Sequence, residues 1–218
     1  MADAAARVRA AVSELELPDA DVVVMVSPHA RRTGLYHSGS GSLRPMGIAD
    51  IEVAVDADDA AIHTVARDCG LPLSDEELDH GIVVPLGLRD WAAPLVAIGI
   101  GDNAVTPEAL TQITGAVQSI AQGARVLIVA SVNTSAGLLP RAPLSHIPGA
   151  EDAERRLQDL LVSDVGALST RALGIAQQGG SCAAGPLTVL GRLLEERVMV
   201  VDVHEAPVGV GYLVAHTT

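Results

Sequence analysis

The chain contains no lysine and no phenylalanine, so all 14 of its basic residues are arginines. Positive charge is scarce beside the 27 acidic residues, and the formal net charge is −13. Such a chain repels a phosphate backbone, because affinity for nucleic acids comes largely from basic side chains that displace counterions. The composition therefore argues against nucleic acid as a partner.

Aromatic residues and cysteines are also few. Trp91, Tyr36 and Tyr212 are the only aromatic residues, so the core must be aliphatic and a base-stacking surface has almost nothing to be built from. Cys69 and Cys182 are far apart in the sequence, and neither belongs to a Cys-x-x-Cys pair. Two cysteines exclude a zinc site of four thiolates, and no secretory signal favours a disulfide.

No apolar run approaches the roughly 18 residues of a membrane helix. The stretch from Met1 to Val12 contains Asp3, Arg7 and Arg9, so it lacks the uninterrupted apolar segment of a signal peptide. We therefore expect a cytoplasmic protein with no membrane partner. Because 49% of the residues are hydrophobic and 19% are charged, we also expect a globular core rather than disorder.

Apolar strands alternate with helices along the chain. Residues 22–26, 93–100 and 125–130 are apolar runs of the kind found in strands buried on both faces of a parallel sheet. Further strands are predicted over 51–55, 198–203 and 207–215, and helices over 4–15, 58–69, 107–122, 149–162, 165–178 and 186–196. The glycine- and serine-rich stretch 31–45 is predicted to be a loop. These features predict one α/β domain over residues 1–218, with three layers in which helices flank a central, mostly parallel, mixed sheet.

Polar side chains lie directly beyond the carboxyl ends of the predicted strands. His29 follows the first buried strand, and Ser131 to Ser135 follow the third. Open α/β sheets bind their ligands at this edge, so these residues are candidates for a pocket. The Asp79-His80-Gly81 step runs into an apolar stretch where an imidazole adds little to stability, which makes His80 a functional candidate. His37, in the glycine-rich stretch, could also reach the pocket.

Several separated segments together resemble one family. A valine-rich strand leads into Ser27-Pro28-His29-Ala30, Asp79-His80-Gly81 precedes Val84-Pro85-Leu86, and the chain closes on Gly209-Val210-Gly211-Tyr212. Between them lie the strand 125–131 and a Gly-Ser-Cys step (180–182) followed by Pro186-Leu187 and Leu190-Gly191. In this order the segments resemble the LigB-like catalytic chain of the class III extradiol ring-cleavage dioxygenases, a superfamily that includes the Memo-like branch. The resemblance extends over almost the whole chain.

The resemblance implies a non-haem Fe(II) site with two histidines and one glutamate, an acid/base histidine, and a further histidine that orients substrate and oxygen. His29 matches the family's second metal-ligand histidine, and His80 matches the orienting histidine. Three family positions have no match. No residue stands for the first ligand histidine, Ala136 occupies the position of the acid/base histidine after Ser135, and Ser181, beside Cys182, replaces the glutamate.

One imidazole cannot hold Fe(II) tightly, and alanine cannot transfer a proton. We therefore expect a homologue that has lost catalysis, needs no cofactor, and acts as a small-molecule-binding or interaction protein. Two alternatives stay open. His37 and Cys182 could join His29 in an altered site for zinc or Fe(II), or a homologous subunit or second copy of the chain could supply the missing ligands. The chain would then be an active metal-dependent ring-cleaving dioxygenase, or a hydrolase with an atypical ligand set.

Overall fold

The computed structural model describes residues 2–101 and 105–217. These residues form two compact units. The sheet unit comprises residues 17–131, and the terminal unit comprises residues 2–16 and 132–217. The prediction of one domain over residues 1–218 stays a prediction.

The six helices predicted from the sequence are present, with small shifts at their ends, and the apolar stretch after Asp79 forms an additional helix. The strands are β1 (Val22–Ala30), β2 (Gly34–Tyr36), β3 (Ser40–Ser42), β4 (Glu52–Ala54), β5 (Leu73–Ser74), β6 (Leu95–Gly101), β7 (Val126–Ala130), β8 (Met199–Glu205) and β9 (Tyr212–Thr217). The helices are α1 (Ala2–Glu14), α2 (Asp59–Cys69), α3 (His80–Leu88), α4 (Pro107–Ala121), α5 (Ala150–Ser163), α6 (Leu168–Gly179) and α7 (Ala184–Leu193). Within residues 2–101 and 105–217, no helix is long and apolar enough to cross a bilayer.

The sheet unit is built on a five-stranded sheet with the order β5-β2-β6-β1-β7. Strand β1 pairs in parallel with the central strand β6 on one side and with the edge strand β7 on the other. Strand β2 is parallel to β5 but antiparallel to β6. The sheet is therefore mixed and mostly parallel, as the buried apolar runs predict.

Different helices cover the two faces of this sheet. Val23 and Met25 of β1 and Ala97 of β6 belong to a buried cluster with Ile82 and Val83 of α3. Because successive side chains of a strand point to opposite faces, the alternate residues of β1 and β6 face the other way. Helices α2 and α4 pack against each other, and α2 also contacts β2. The predicted three-layer α/β architecture, a central sheet flanked by helices, is confirmed.

The stretch 31–45 is not the continuous loop that its composition predicts. Gly34–Tyr36 form β2 and Ser40–Ser42 form β3. Strand β2 lies inside the sheet, between β5 and β6, and its Leu35 and Tyr36 are buried. Three residues are too few to show the alternating pattern of a strand. The glycines and serines around them are typical of loops, which is why the composition predicts a loop here.

The terminal unit combines α1, α5, α6 and α7 with a two-stranded antiparallel sheet of β8 and β9. Helix α5 buries Ala150, Ala153, Leu157 and Leu161, as its amphipathic pattern predicts. Helices α6 and α7 pack against each other, and β8 packs against α1 and α5. Strand β8 lies close to the prediction, whereas the strand predicted over 207–215 begins only at Tyr212.

Candidate functional site

The two histidines that the sequence singles out lie side by side in the sheet unit. His29 is near the end of β1, and His80 is the first residue of α3. Their ring centroids are 4.0 Å apart, and the ring planes are inclined by 33°. Both residues are partly exposed, so the pair lies at the carboxyl end of β1 within reach of a small molecule.

Asp79 determines where α3 begins. It is the N-cap residue, with extended backbone angles (φ −71°, ψ 167°), and its side chain accepts a hydrogen bond from the Gly81 N–H at 2.7 Å. A capping carboxylate satisfies one of the backbone donors that the first helical turn leaves free. The helix therefore starts at His80, which places this imidazole next to the end of β1.

The Asp79 carboxylate accepts two further hydrogen bonds, both from hydroxyl groups. Ser27 Oγ donates to Oδ1 at 2.6 Å, and the Tyr36 hydroxyl donates to Oδ2 at 2.6 Å. Burial, and then the bond to Asp79, raises the pKa of the Tyr36 phenol well above its usual range, because both oppose formation of the phenolate. Three donors, from β1, β2 and α3, thus hold the carboxylate in one orientation.

Gly81 leaves the space in which these groups meet. A Cβ atom at this position would lie 2.3 Å from Ser27 Oγ, 3.0 Å from Asp79 Oδ1 and 3.1 Å from His29 Cδ2. The first distance is far inside van der Waals contact, and Ser27 is fully buried. The Asp-His-Gly step therefore requires its glycine for a packing reason that the sequence does not reveal.

The other predicted pocket residues of the sheet unit have different neighbours. The His37 ring lies edge-on to His63, with centroids 5.4 Å apart. Its ring nitrogens are 3.8 Å from Asp59 Oδ1 and 3.9 Å from Asp75 Oδ1, so His37 belongs to an exposed histidine–aspartate group. Ser131 donates its backbone N–H to a β1 carbonyl at 3.1 Å and extends the pairing of β1 with β7.

Ser135, Ser181 and Cys182 lie in the terminal unit. Ser135 Oγ donates to the Gly179 carbonyl, and Ser181 Oγ donates to the Asn133 carbonyl, both at 2.6 Å. Cys182 Sγ accepts from the Asn133 N–H at 3.4 Å, and the Cys182 N–H donates to Asn133 Oδ1 at 3.3 Å. These bonds tie the segment before α7 to the segment 132–135.

The terminal unit also contains a buried glutamate that no sequence motif singles out. Glu154 Oε1 accepts from Thr134 Oγ at 2.5 Å and lies 2.7 Å from His204 Nε2. Its Oε2 atom is buried and has no hydrogen-bond partner within the described part of the chain. The sequence does contain a sign that Glu154 is unusual. It lies on the same face of α5 as Ala150 and Leu157, and the buried face of an amphipathic helix normally consists of apolar residues.

The donors in the sheet unit do not fit the three-ligand iron site that the resemblance implies. His29 and His80 provide two imidazoles, but the carboxylate of Asp79 already accepts three hydrogen bonds. Among residues 2–101 and 105–217, no group of three or more histidine, cysteine, aspartate or glutamate side chains is arranged to hold a metal ion. The arrangement brings two partly exposed imidazoles together, and imidazole is a side chain that can both donate and accept hydrogen bonds.

Comparisons with known proteins bear on the fold. No protein-family model and no curated protein matches this chain. The structure is similar to the crystal structure of the uncharacterized protein JW3007 from Escherichia coli K12, with a TM-score of 0.63. The similarity covers 96% of this chain and 90% of that one, at 18% sequence identity. At this identity the likeness shows a shared fold, and it carries nothing about activity.

Proposed function

We propose that this chain is a homologue of the LigB-like class III extradiol dioxygenases that binds a small molecule beside His29 and His80 without cleaving it. The observation that carries the proposal is the imidazole pair. Two histidine rings 4.0 Å apart, at the carboxyl end of a buried parallel strand, occupy the place where open α/β folds bind their ligands. Two apolar side chains at these positions would pack at least as well as two histidines. Ligand binding therefore explains the presence of two imidazoles better than packing does.

The residues at the family's other chemical positions support binding without turnover. Ala136, where the resemblance places the acid/base histidine, has no group that can move a proton. Ser181, in the glutamate position, donates its hydroxyl to the Asn133 carbonyl. Three hydrogen bonds already occupy most of the acceptor sites of the Asp79 carboxylate, which makes it a poor candidate for a metal ligand. We infer that the binding site was retained while the reaction was lost.

Metal content and ligand binding test this proposal together. Protein purified without chelators is analysed for iron and zinc, and catechol binding is measured by calorimetry. We expect no tightly held metal, and catechol binding that is lost in His29→Ala and in His80→Ala. The matched control is His146→Ala, because His146 is an exposed histidine of the terminal unit. A stoichiometric metal that is lost on His29→Ala, or catechol binding that neither substitution affects, would contradict the proposal.

A cytoplasmic location and association with a homologous subunit or a second copy of the chain are parts of the same proposal. The location rests on the sequence alone, and fractionation of cells that express the chain tests it. Light scattering during size-exclusion chromatography measures the mass of the assembly. A mass of 22.3 kDa would show a monomer and contradict self-association.

The same imidazole pair favours one second candidate, an active metal-dependent dioxygenase or hydrolase with an atypical ligand set. Histidine nitrogens are common ligands of non-haem iron and of zinc, and His29 and His80 present two of them. Because no third ligand joins them among residues 2–101 and 105–217, the remaining ligands would come from a second copy of the chain or from a homologous subunit. Anaerobic protein loaded with Fe(II) would then convert catechol and oxygen to a yellow ring-opened product. No product from a preparation that retains its iron would refute this candidate for catechol.

A further inference from the structure

Both histidines of the pair are connected to one carboxylate by short hydrogen-bonded paths. On the His29 side, Ser27 Oγ donates to Asp79 Oδ1 at 2.6 Å and accepts from the His29 backbone N–H at 3.3 Å. On the His80 side, the Asp79 side chain accepts a hydrogen bond from the Gly81 N–H at 2.7 Å. Asp79 and Gly81 are the two chain neighbours of His80, so this bond restrains the backbone that carries the imidazole. The two backbone segments that carry the imidazoles therefore have Asp79 in common.

The surroundings leave this carboxylate little freedom. Its second oxygen, Oδ2, accepts from the Tyr36 hydroxyl at 2.6 Å, and Tyr36 is only 3% exposed. Ser27 has no exposed surface, and Gly81 has no Cβ that would displace it. A carboxylate that accepts from three donors keeps one orientation, and binding sites are sensitive to displacements of about 0.5 Å.

We infer that Asp79 is a positioning residue, whose carboxylate sets the distance and inclination of the His29 and His80 rings. The Ser27 hydroxyl passes this effect on to His29, and the Tyr36 hydroxyl fixes the carboxylate itself. The inference rests on the proposed function, because it concerns the same site. Asp79 would not touch the ligand, and its removal would weaken binding only by moving the imidazoles.

Histidine ring signals in NMR spectra test the inference without any ligand. The chain has seven histidines, and substitution of each by glutamine assigns the ring Cε1–H signals. We expect Asp79→Ala to shift the signals of both His29 and His80. Ser27→Ala should shift the His29 signal more than the His80 signal, because the cap on α3 is kept while the connection to His29 is lost.

A milder variant covers the case in which Asp79→Ala fails to fold. Asp79→Asn keeps one oxygen for the helix cap but replaces the other by an NH₂ group, which cannot accept a hydrogen bond from Tyr36. Tyr36→Phe removes the same hydrogen bond from the opposite side. The two variants should therefore shift the His29 and His80 signals in the same direction, and shifts in opposite directions would count against the inference.

Asp58→Ala is the matched control for loss of a helix cap. Asp58 caps α2 in the same unit by accepting from the Ala61 N–H at 3.0 Å. Its removal is a comparable perturbation of a helix start, so a general loosening of the fold would appear in this variant too. We expect the His29 and His80 signals to stay in place, and a shift equal to that of Asp79→Ala would overturn the positioning role.

Catechol affinity separates the positioning role from the proposed function. In wild-type protein that binds catechol, Asp79→Ala and Ser27→Ala should raise the Kd about tenfold or more, in line with the loss of affinity when the group that orients a metal-ligating histidine is removed. Unmoved His29 and His80 signals in every variant would overturn the inference, whatever the affinity. If the wild-type protein does not bind catechol but the signals shift as expected, the proposed function fails and the positioning role is supported.

Discussion

Gly81→Ala is a small change with a large expected effect. In an open helical position, replacement of glycine by alanine stabilises a protein by up to about 1 kcal/mol. At Gly81 the new Cβ would lie 2.3 Å from Ser27 Oγ, which is at least about 1 Å inside ordinary contact. Either the Ser27 side chain must rotate, or the first turn of α3 must move away from β1.

Both ways of relieving this contact cost free energy. Rotation breaks the hydrogen bond that the fully buried Ser27 donates to the partly buried Asp79, and the loss of such a bond costs about 1–3 kcal/mol. Movement of the helical turn is an overpacking strain, which also costs about 1–3 kcal/mol. After the gain in helix propensity is subtracted, we expect Gly81→Ala to lower the free energy of unfolding by about 1–2 kcal/mol.

Urea denaturation followed by Trp91 fluorescence measures this change. The chain has one tryptophan, it lies in the sheet unit, and its indole N–H donates to the Pro85 carbonyl of α3 at 3.0 Å. Gly115→Ala, in α4 of the same unit, is the control, because a Cβ there meets no atom within 4 Å. We expect this control to gain up to about 1 kcal/mol. The two variants should therefore move the denaturation midpoint in opposite directions.

The double variant Ser27→Ala/Gly81→Ala identifies the contact that is responsible. Ser27→Ala alone leaves Asp79 one donor short and should cost about 1–3 kcal/mol. Once Oγ is absent, the remaining close atoms are 3.0 Å and 3.1 Å from the new Cβ, and small movements accommodate them. Gly81→Ala should then add almost nothing, which corresponds to a coupling free energy of about 1–2 kcal/mol between the two sites. Additive losses, or a Gly81→Ala protein as stable as Gly115→Ala, would refute this reasoning.

Three further predictions concern other contacts. Above about pH 10 the unfolded chain can ionise Tyr36, whereas the folded chain resists because burial and its hydrogen bond raise the phenol pKa. The stability that this group contributes is therefore present below about pH 10 and lost as the pH rises further. Tyr36→Phe should reduce the fall in the free energy of unfolding at alkaline pH. An unchanged fall would contradict this prediction. Gly211→Ala would place a Cβ atom 2.2 Å from Thr134 Oγ1 and should lower the free energy of unfolding by about 1–3 kcal/mol. Amide hydrogen exchange in β8 and β9 should become faster, and unaltered exchange would argue against the close contact. The hydrogen bond from Arg7 lowers the pKa of Glu205, so that carboxylate's contribution is present above its unfolded-state pKa and lost as the pH falls through its folded-state value. Arg7→Gln should raise the Glu205 pKa in an NMR titration, and a pKa that stays low would show that another group is responsible.

Local sequence patterns were sufficient for much of the sheet unit. Strands β1, β6 and β7 were recognisable because each is a contiguous apolar run, and burial on both faces leaves that signature in the sequence itself. Strand β2 was missed because its three residues become a strand only through pairing with β5 and β6. A short strand of this kind is determined by tertiary contacts, which composition does not report.

The candidate site was predicted as separate residues rather than as an arrangement. His29 and His80 were recognisable from their places after a strand and before an apolar stretch. Their pairing, and the hydrogen bonds of Ser27 and Tyr36 to Asp79, join residues that are distant in the chain, so no local pattern reveals them. Glu154 was different, because a charged residue on the apolar face of a predicted helix was visible and was overlooked.

The close approach of Gly81 to Ser27 also has an evolutionary consequence. In related chains that keep this turn, a larger residue at position 81 is compatible only with the absence of a side-chain hydroxyl at position 27. Each single replacement destabilises the protein, but loss of the glycine adds little once the serine has gone. Descendants should therefore keep the serine and the glycine together or change both, because losing the second adds little once the first has gone. One interatomic distance thus couples the changes of two codons.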